Sequence, residues 1–277
     1  MSTNNPSLSR HAPAPPARAA SGLVTGGTGV LLSLAVLAAS ALLRLATTLS
    51  GGVATTSLPQ AIEDPVRLVH RIAAMGISGL AIWAFVLAWR ARKVAPPADR
   101  ALRIATIILL LTVFLSALGP FTPGYRFDAV TVGNVAGGVA LILAFQAWGW
   151  AAMKGSPRGA APARIARWAL LAFAAQVMLG ALVSAQAMTQ RFDALIPHIL
   201  SAILVVSCAV VWWMRAPNAR RALTAALLLI ALQCIGGSAL ALLAVRPLLL
   251  AVGHAMLSPL IGMALVNAWH ARMDAAR

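Results

Sequence analysis

The 277-residue chain has few acidic residues, few charges of either sign and few cysteines. Six residues are Asp or Glu, against 22 Lys or Arg, and charged residues make up 10% of the chain whereas 60% is hydrophobic. A water-soluble domain of this size needs far more polar residues to cover its surface, so that class is excluded. Both cysteines, Cys208 and Cys234, fall inside apolar runs, which disfavours a disulfide framework.

Long apolar runs occupy most of the chain instead. Spanning the hydrocarbon core takes about 20 apolar residues as a helix, and these runs lack the alternation typical of barrel strands. The sequence therefore predicts an all-α membrane protein, preceded by a disordered tail over residues 1–22 that is rich in Pro, Ala and Arg. The predicted helices are 23–45, 66–90, 101–120, 129–152, 164–187, 194–214, 220–243 and 247–270.

Basic residues concentrate in alternate loops and in the two tails, whereas the opposite loops carry Glu63, Asp64, Asp128 and Asp193. The positive-inside rule then predicts that both termini are cytoplasmic. It also explains the net charge of +16 without a nucleic-acid partner. Seven tryptophans near the predicted cytoplasmic ends are interpreted as an aromatic belt at the membrane surface. They are Trp89, Trp148, Trp150, Trp168, Trp212, Trp213 and Trp269.

Three of the five histidines, His70, His198 and His254, are predicted near the outer starts of even-numbered helices. His70 and His198 are 128 residues apart, and Asn134 lies halfway between them. This spacing predicts two pseudo-symmetric four-helix bundles, over residues 23–155 and 156–277, each built from two hairpins. The remaining two histidines, His11 and His270, are interpreted as solvated surface residues.

Other short segments repeat between the hairpins. The sequence RFDA occurs at 126–129 and 191–194, and a glutamine precedes a glycine by four residues at Gln176–Gly180 and Gln233–Gly237. Glycine allows close helix approach in lipid, and glutamine can bridge helices by hydrogen bonds. Helix packing alone is an alternative explanation for these glutamines and glycines.

His198 and His254, at matching depth on two helices of one bundle, are the pair that bis-histidine haem ligation requires. A proton relay or an inter-helix hydrogen bond stays open as an alternative for each histidine. Zinc is less favoured, because no cysteine or carboxylate shares that depth in a four-ligand set. A transporter with repeated halves is a third reading, although the histidines are predicted near one surface rather than at the midplane.

Over roughly residues 24–270 the chain resembles the haem A synthase family. The resemblance rests on HRIAA after His70, on AQVMLGALV leading to LIPHILSA, on ALQCIGG leading to AVGHAMLS, and on LRLATTLSGG at 43–52. It implies a membrane oxidoreductase that converts haem O to haem A by oxidising the C8 methyl group, for cytochrome oxidase biogenesis. It further implies that His198 and His254 ligate a resident haem b, and that His70 faces the iron of the substrate haem as the catalytic residue.

The chain departs from the family in its N-terminal half. Asn134 stands where the family has a histidine, and Arg67 stands where the family usually has a glutamate, three residues before His70. The alternative is therefore a diverged protein that binds haem b without making haem A, as an electron carrier or an oxidase assembly factor. Beyond the lipid bilayer, the resemblance suggests haem O synthase and oxidase assembly proteins as partners, with a homo-oligomer left open, in the inner (plasma) membrane.

Overall fold

The computed structural model describes residues 16–49, 59–91, 99–121, 128–154, 164–187, 191, 193–243 and 247–274. No strand occurs among them, so the predicted all-α fold is confirmed. The described residues form eight α-helices, which are α1 (Pro16–Leu49), α2 (Gln60–Ala91), α3 (Asp99–Leu118), α4 (Asp128–Lys154), α5 (Arg164–Gln186), α6 (Leu195–Arg215), α7 (Arg220–Leu242) and α8 (Leu248–Asp274).

Each helix forms most or all of an apolar span of 21 to 32 residues. At a rise of about 1.5 Å per residue these spans match a hydrocarbon core about 30 Å thick. Many large apolar side chains lie on the outside of the molecule, including Ile196, which is 70% exposed, and Leu110 and Leu228, both 63% exposed. Lipid accommodates such a surface and water does not, so the chain is a multi-pass membrane protein.

Two helices begin earlier than the sequence predicts. α1 begins at Pro16, inside the segment predicted as a disordered tail. Proline at a first helical position and the alanine-rich sequence after it both favour helix there. α2 begins at Gln60 and continues through Pro65. The prediction starts this helix at residue 66. Pro65 removes a hydrogen bond to the carbonyl group of Ala61, an exposed residue in the first turn, so the cost to the helix is small. His11 lies outside the described residues.

The first four helices contact one another in a closed ring, in which α1 packs on α2 and α4, and α3 packs on the same two helices. Glycines allow α1 and α4 to approach closely. A Cβ atom added to Gly26 would lie 2.8 Å from the Cα atom of Gly149, whereas one added to the neighbouring Gly27 would meet nothing within 4 Å. The α1–α4 contact therefore depends on Gly26 having no side chain.

The last four helices show a similar order of contacts, in which α5 packs on α6, α6 on α7, α7 on α8, and α8 on α5. α6 and α8 thus stand at opposite corners of this ring. The two sets of helices meet where α4 contacts α5 and α8, and where α1 contacts α8. The pseudo-symmetry of two separate bundles stays a prediction.

The tryptophans do not all face the membrane surface. Trp168 and Trp89 are 62% and 42% exposed, as a belt requires, but Trp212 is fully buried and Trp148 is 3% exposed. The belt interpretation is wrong for Trp148 and Trp212, whose rings belong to the hydrophobic core. The ends of α4 and α6 are packed against other helices, so position near a helix end does not expose these side chains.

Candidate functional site

The α5–α6 hairpin places His198 in the first turn of α6. The side chain of Gln186, at the end of α5, accepts a hydrogen bond of 3.0 Å from the backbone N–H of Ala194 just before α6. This contact joins the two helix ends and sets the start of α6. The imidazole then lies over Gly180 of α5, where an added Cβ atom would be 3.0 Å from Cε1 of His198. Only glycine leaves that space free.

One turn before Gly180, the side chain of Gln176 meets the same imidazole. Its amide nitrogen lies 3.5 Å from Nε2 of His198. The hydroxyl group of Ser201 donates a hydrogen bond to the amide oxygen of Gln176 and lies 2.9 Å from the backbone oxygen of His198. Ser201 therefore links Gln176 to the backbone of α6 beside the histidine.

The α7–α8 hairpin repeats this arrangement around His254. A Cβ atom added to Gly237 would lie 3.0 Å from Cε1 of His254. The amide nitrogen of Gln233 lies 3.4 Å from Nε2 of the same histidine and 3.4 Å from the hydroxyl oxygen of Ser258. We name the Gln176–Gly180–His198 set and the Gln233–Gly237–His254 set the two imidazole sockets. The glutamine and glycine pairs noticed in the sequence thus contact the histidines in addition to packing the helices.

The two sockets differ in how their glutamine is held. The amide oxygen of Gln233 is buried without a hydrogen-bond partner among the described residues, whereas Ser201 holds that of Gln176. In both sockets the amide N–H can donate only to an unprotonated Nε2, so the contact corresponds to a neutral imidazole with its proton on Nδ1. Nδ1 of both rings is buried without a partner in the described part of the chain.

His198 and His254 lie on α6 and α8, at opposite corners of the ring of the last four helices. Two neutral imidazoles approaching from opposite corners can coordinate one metal centre between them through their Nε2 lone pairs.

His70 has a different setting in the α1–α2 hairpin. Its Nδ1 lies 3.1 Å from the hydroxyl oxygen of Ser40 on α1. Asn134 is a half-buried residue of α4, the corner opposite α2 in the first ring of helices. The N-terminal helices therefore carry one imidazole and one carboxamide at opposite corners, and the C-terminal helices carry two imidazoles at opposite corners.

Arg67, three residues before His70, turns away from the interior. Its guanidinium group makes an ion pair with Glu63, one turn earlier on α2, and the Arg67 side chain is 51% exposed. The Glu63 carboxylate is thus paired with Arg67, which lies about one turn before His70. Arg71, the residue after His70, is exposed.

The sequence analysis missed Arg44. Among the described residues it is the one lysine, arginine, aspartate or glutamate that is buried, at 7% exposure. Its Nη1 donates a hydrogen bond to the hydroxyl group of Ser184 on α5, which joins the first four helices to the last four. An arginine inside an apolar run is the sequence signal that could have identified it.

His270 is not the solvated residue that the sequence suggested. It is 8% exposed, and its ring stacks on Trp150 of α4 with centroids 5.2 Å apart. Asn267 on the same helix accepts hydrogen bonds from Gln146 at 2.7 Å and from Trp150 at 3.1 Å. His270 is buried because α4 and α8 pack together here, and this polar cluster joins the two sets of helices at the end predicted to be cytoplasmic.

The two RFDA segments also meet. Arg191 of the second segment lies 3.8 Å from the carboxylate of Asp128 in the first, and 2.9 Å from that of Asp193. The hydrogen bond to Asp193 is the main cause of a raised pKa for Arg191. Arg191 and Asp193 are exposed and Asp128 is half-buried, so the ion pairs are expected to contribute little to stability.

No cluster of three or more His, Cys, Asp or Glu side chains suited to a metal ion occurs among the described residues. Comparison of the chain with protein-family models and with curated proteins found no match. The fold and the site together define a class: a multi-pass helical membrane protein with two imidazole sockets at opposite corners of its C-terminal helices.

Proposed function

We propose that this protein is a haem A synthase-type membrane oxidoreductase, with a resident haem b held by His198 and His254. The observation that carries the proposal is the pair of matching imidazole sockets. Each socket provides a neutral imidazole, and each holds it with a glycine beneath the ring and a glutamine at Nε2. Such a pair supplies the two axial ligands that a haem iron accepts.

The residues present fit a haem. The amide contacts to Nε2 are long, at 3.5 Å for His198 and 3.4 Å for His254. Little hydrogen-bond energy is therefore lost when Nε2 coordinates a metal instead. Apolar side chains of the surrounding helices suit a porphyrin, and a buried haem is shielded from water by them. In this proposal Gln176 and Gln233 hold the rings before haem binds, and the glycines set the depth of the rings.

His70 is proposed to face the substrate, haem O, from the N-terminal helices, with Ser40 fixing the orientation of its ring. The overall reaction converts the C8 methyl group and one water molecule into a formyl group, with release of four protons and four electrons. Bound haem supplies a redox-active iron suited to removing electrons from a methyl group. An electron acceptor in the membrane is required to take the four electrons.

The charge distribution of the loops supports an orientation with both termini in the cytoplasm, and the haem chemistry supports the bacterial inner membrane as the location. The imidazole sockets then lie towards the outer face.

A second candidate function is supported by Asn134 and Arg67. A carboxamide is a poor substitute for imidazole as a haem ligand, and Arg67 forms an ion pair in place of the usual glutamate. In this version the protein binds haem b through His198 and His254 and serves as an electron carrier or an oxidase assembly factor without making haem A.

The test is the haem content of the purified protein after co-expression with a haem O-producing enzyme, measured by extraction and mass spectrometry. Haem b together with haem A, or with a hydroxylated intermediate, supports the synthase, whereas haem b alone supports the second candidate. His198→Ala and His254→Ala are expected to lose haem b, and His70→Ala is expected to keep it. A wild-type protein that contains no haem rules out both candidates.

Replacement of Asn134 by histidine separates the two candidate functions further. In a weakened synthase, Asn134→His should increase haem A formation. In a haem b carrier the same change should leave both the haem content and the native function unchanged, because no second haem has to be held at that position.

A further inference from the structure

The two socket histidines differ in where a proline lies relative to them. Pro197 directly precedes His198 in the first turn of α6, where a backbone N–H has no partner within the helix in any case. Its ring fixes the backbone angle φ and stiffens this turn. Pro259 instead lies inside α8, five residues after His254, so the carbonyl group of Ala255 loses its helix hydrogen bond. α8 is therefore weakened about one turn after its histidine, whereas α6 has no proline after His198.

Glycine is also more abundant around His254 than around His198. Gly253 directly precedes His254 in α8, and a Cβ atom added there would meet nothing within 4 Å. On α7 the residue before the socket glycine is Gly236, whereas Leu179 occupies the same place on α5. Because glycine restricts the backbone least, the helices on both sides of the His254 ring are more easily deformed.

The contacts of the two glutamines differ in the same direction. The hydroxyl group of Ser201 makes a close hydrogen bond with the amide oxygen of Gln176. The contact between Ser258 and Gln233 is 3.4 Å long, which is beyond the usual range for a hydrogen bond, and the amide oxygen of Gln233 is buried without a partner among the described residues. Gln233 is therefore held less firmly than Gln176, and so is the imidazole of His254 that it contacts.

We propose that His198 is the fixed ligand of the pair and His254 the exchangeable one, so that a small uncharged molecule can take the iron position that His254 leaves. This inference rests on the proposed haem b site. Helices bend most readily at proline and glycine, so α8 can withdraw its histidine at a lower cost than α6 can. Steric access and polarity decide which ligand a haem accepts, and the glycines and apolar residues around His254 favour a small uncharged one.

Carbon monoxide is the probe, because it binds reduced haem iron in place of one ligand. The full-length protein is purified with its haem b, reduced without oxygen and mixed with carbon monoxide in a stopped-flow spectrometer. At saturating carbon monoxide the observed rate equals the rate at which the histidine leaves. Treatment with diethyl pyrocarbonate directly after binding, followed by peptide mass spectrometry, identifies the released imidazole. His254 should become modified when carbon monoxide is added, and His198 should stay protected.

Two variants stiffen α8 on either side of its histidine. Pro259→Ala restores the missing backbone N–H and should slow the exchange about tenfold. Gly253→Ala should slow it roughly fivefold, and the added methyl group has room. Pro197→Ala is the matched control, since it makes the same proline-to-alanine change beside His198, and it should keep the wild-type rate because His198 stays bound.

The mapping of the wild type needs no variant, so the proposal can be judged even if Pro259→Ala fails to fold. Carbon monoxide that releases His198, alone or together with His254, overturns the proposal and leaves the haem b site standing. A protein that contains haem b but does not bind carbon monoxide does the same, as do unchanged rates in both Pro259→Ala and Gly253→Ala. A wild type without haem overturns both the haem b site and this proposal.

Discussion

Alanine at position 180 or 237 tests whether the two glycines create the space that the histidine rings occupy. An added Cβ atom would lie 3.0 Å from Cε1 of His198 in the first case and of His254 in the second. Carbon atoms prefer separations of about 3.5 Å or more, so each ring must move by about 0.5 Å. A binding constellation must be held to within about 0.5 Å of its productive geometry, so a displacement of that size should lower haem affinity, by roughly tenfold in each variant.

Gly236→Ala is the matched control for Gly237→Ala, because it changes the adjacent residue of α7. Its Cβ atom would lie 3.5 Å from Nδ1 of His254, an ordinary contact, so haem affinity should stay at the wild-type value. All three variants undergo the same backbone change from glycine to alanine, worth up to about 1 kcal/mol in a helix. Spectroscopic titration of the full-length protein with haem b measures the affinities.

The two socket variants should behave alike, since the distances in the two sockets are equal. Wild-type affinity in both Gly180→Ala and Gly237→Ala would refute the reasoning, because the rings could then be displaced without consequence and would not be the haem ligands. An equal loss in Gly236→Ala would also contradict it, since the cause would then be the backbone of α7 rather than the position of the ring.

Three further outcomes are expected. Gly26→Ala should lower the thermal midpoint of the detergent-solubilised protein, because its Cβ atom would lie 2.8 Å from the backbone of α4, whereas Gly27→Ala, with nothing within 4 Å, should not. His270→Ala should lower the midpoint by removing a stacked pair worth about 0.5–1.5 kcal/mol beyond its buried area, while haem content stays unchanged; loss of haem would instead place His270 in the haem site. Arg191→Gln should leave the midpoint unchanged at low and high salt, and a salt-dependent drop would show that this exposed ion pair stabilises the fold.

The eight spans could be predicted because each one is a long apolar run that ends in polar loops. The helix starts were predicted less well. The prediction starts α2 at residue 66, whereas the helix begins at Gln60 and includes Pro65, and it assigns the start of α1 to a disordered tail. Both errors arise because a proline, or a segment rich in Pro and Ala, does not prevent helix formation when it lies in the first turns of a helix.

The histidine pair was predicted from chain spacing, and the glutamine and glycine residues were noticed as repeats. The sequence could not show that these repeats contact the histidines, since that depends on how the helices of each hairpin face each other. Arg44 and Ser184 are 140 residues apart, and the burial of His270 depends on Trp150 in a helix of the other set. Contacts of this kind arise from helix packing, for which the local sequence gives no signal.

Each imidazole socket is complete within a single helical hairpin. Gln176 and His198 are 22 residues apart, and Gln233 and His254 are 21 apart. Helices of membrane proteins insert before they associate, and neighbours in the chain meet first because the loop between them is short. Each socket can therefore form as soon as its two helices have left the ribosome and entered the membrane. The α7–α8 hairpin follows the α5–α6 hairpin in the chain, so the two-histidine site is completed only after both hairpins have been synthesised and inserted.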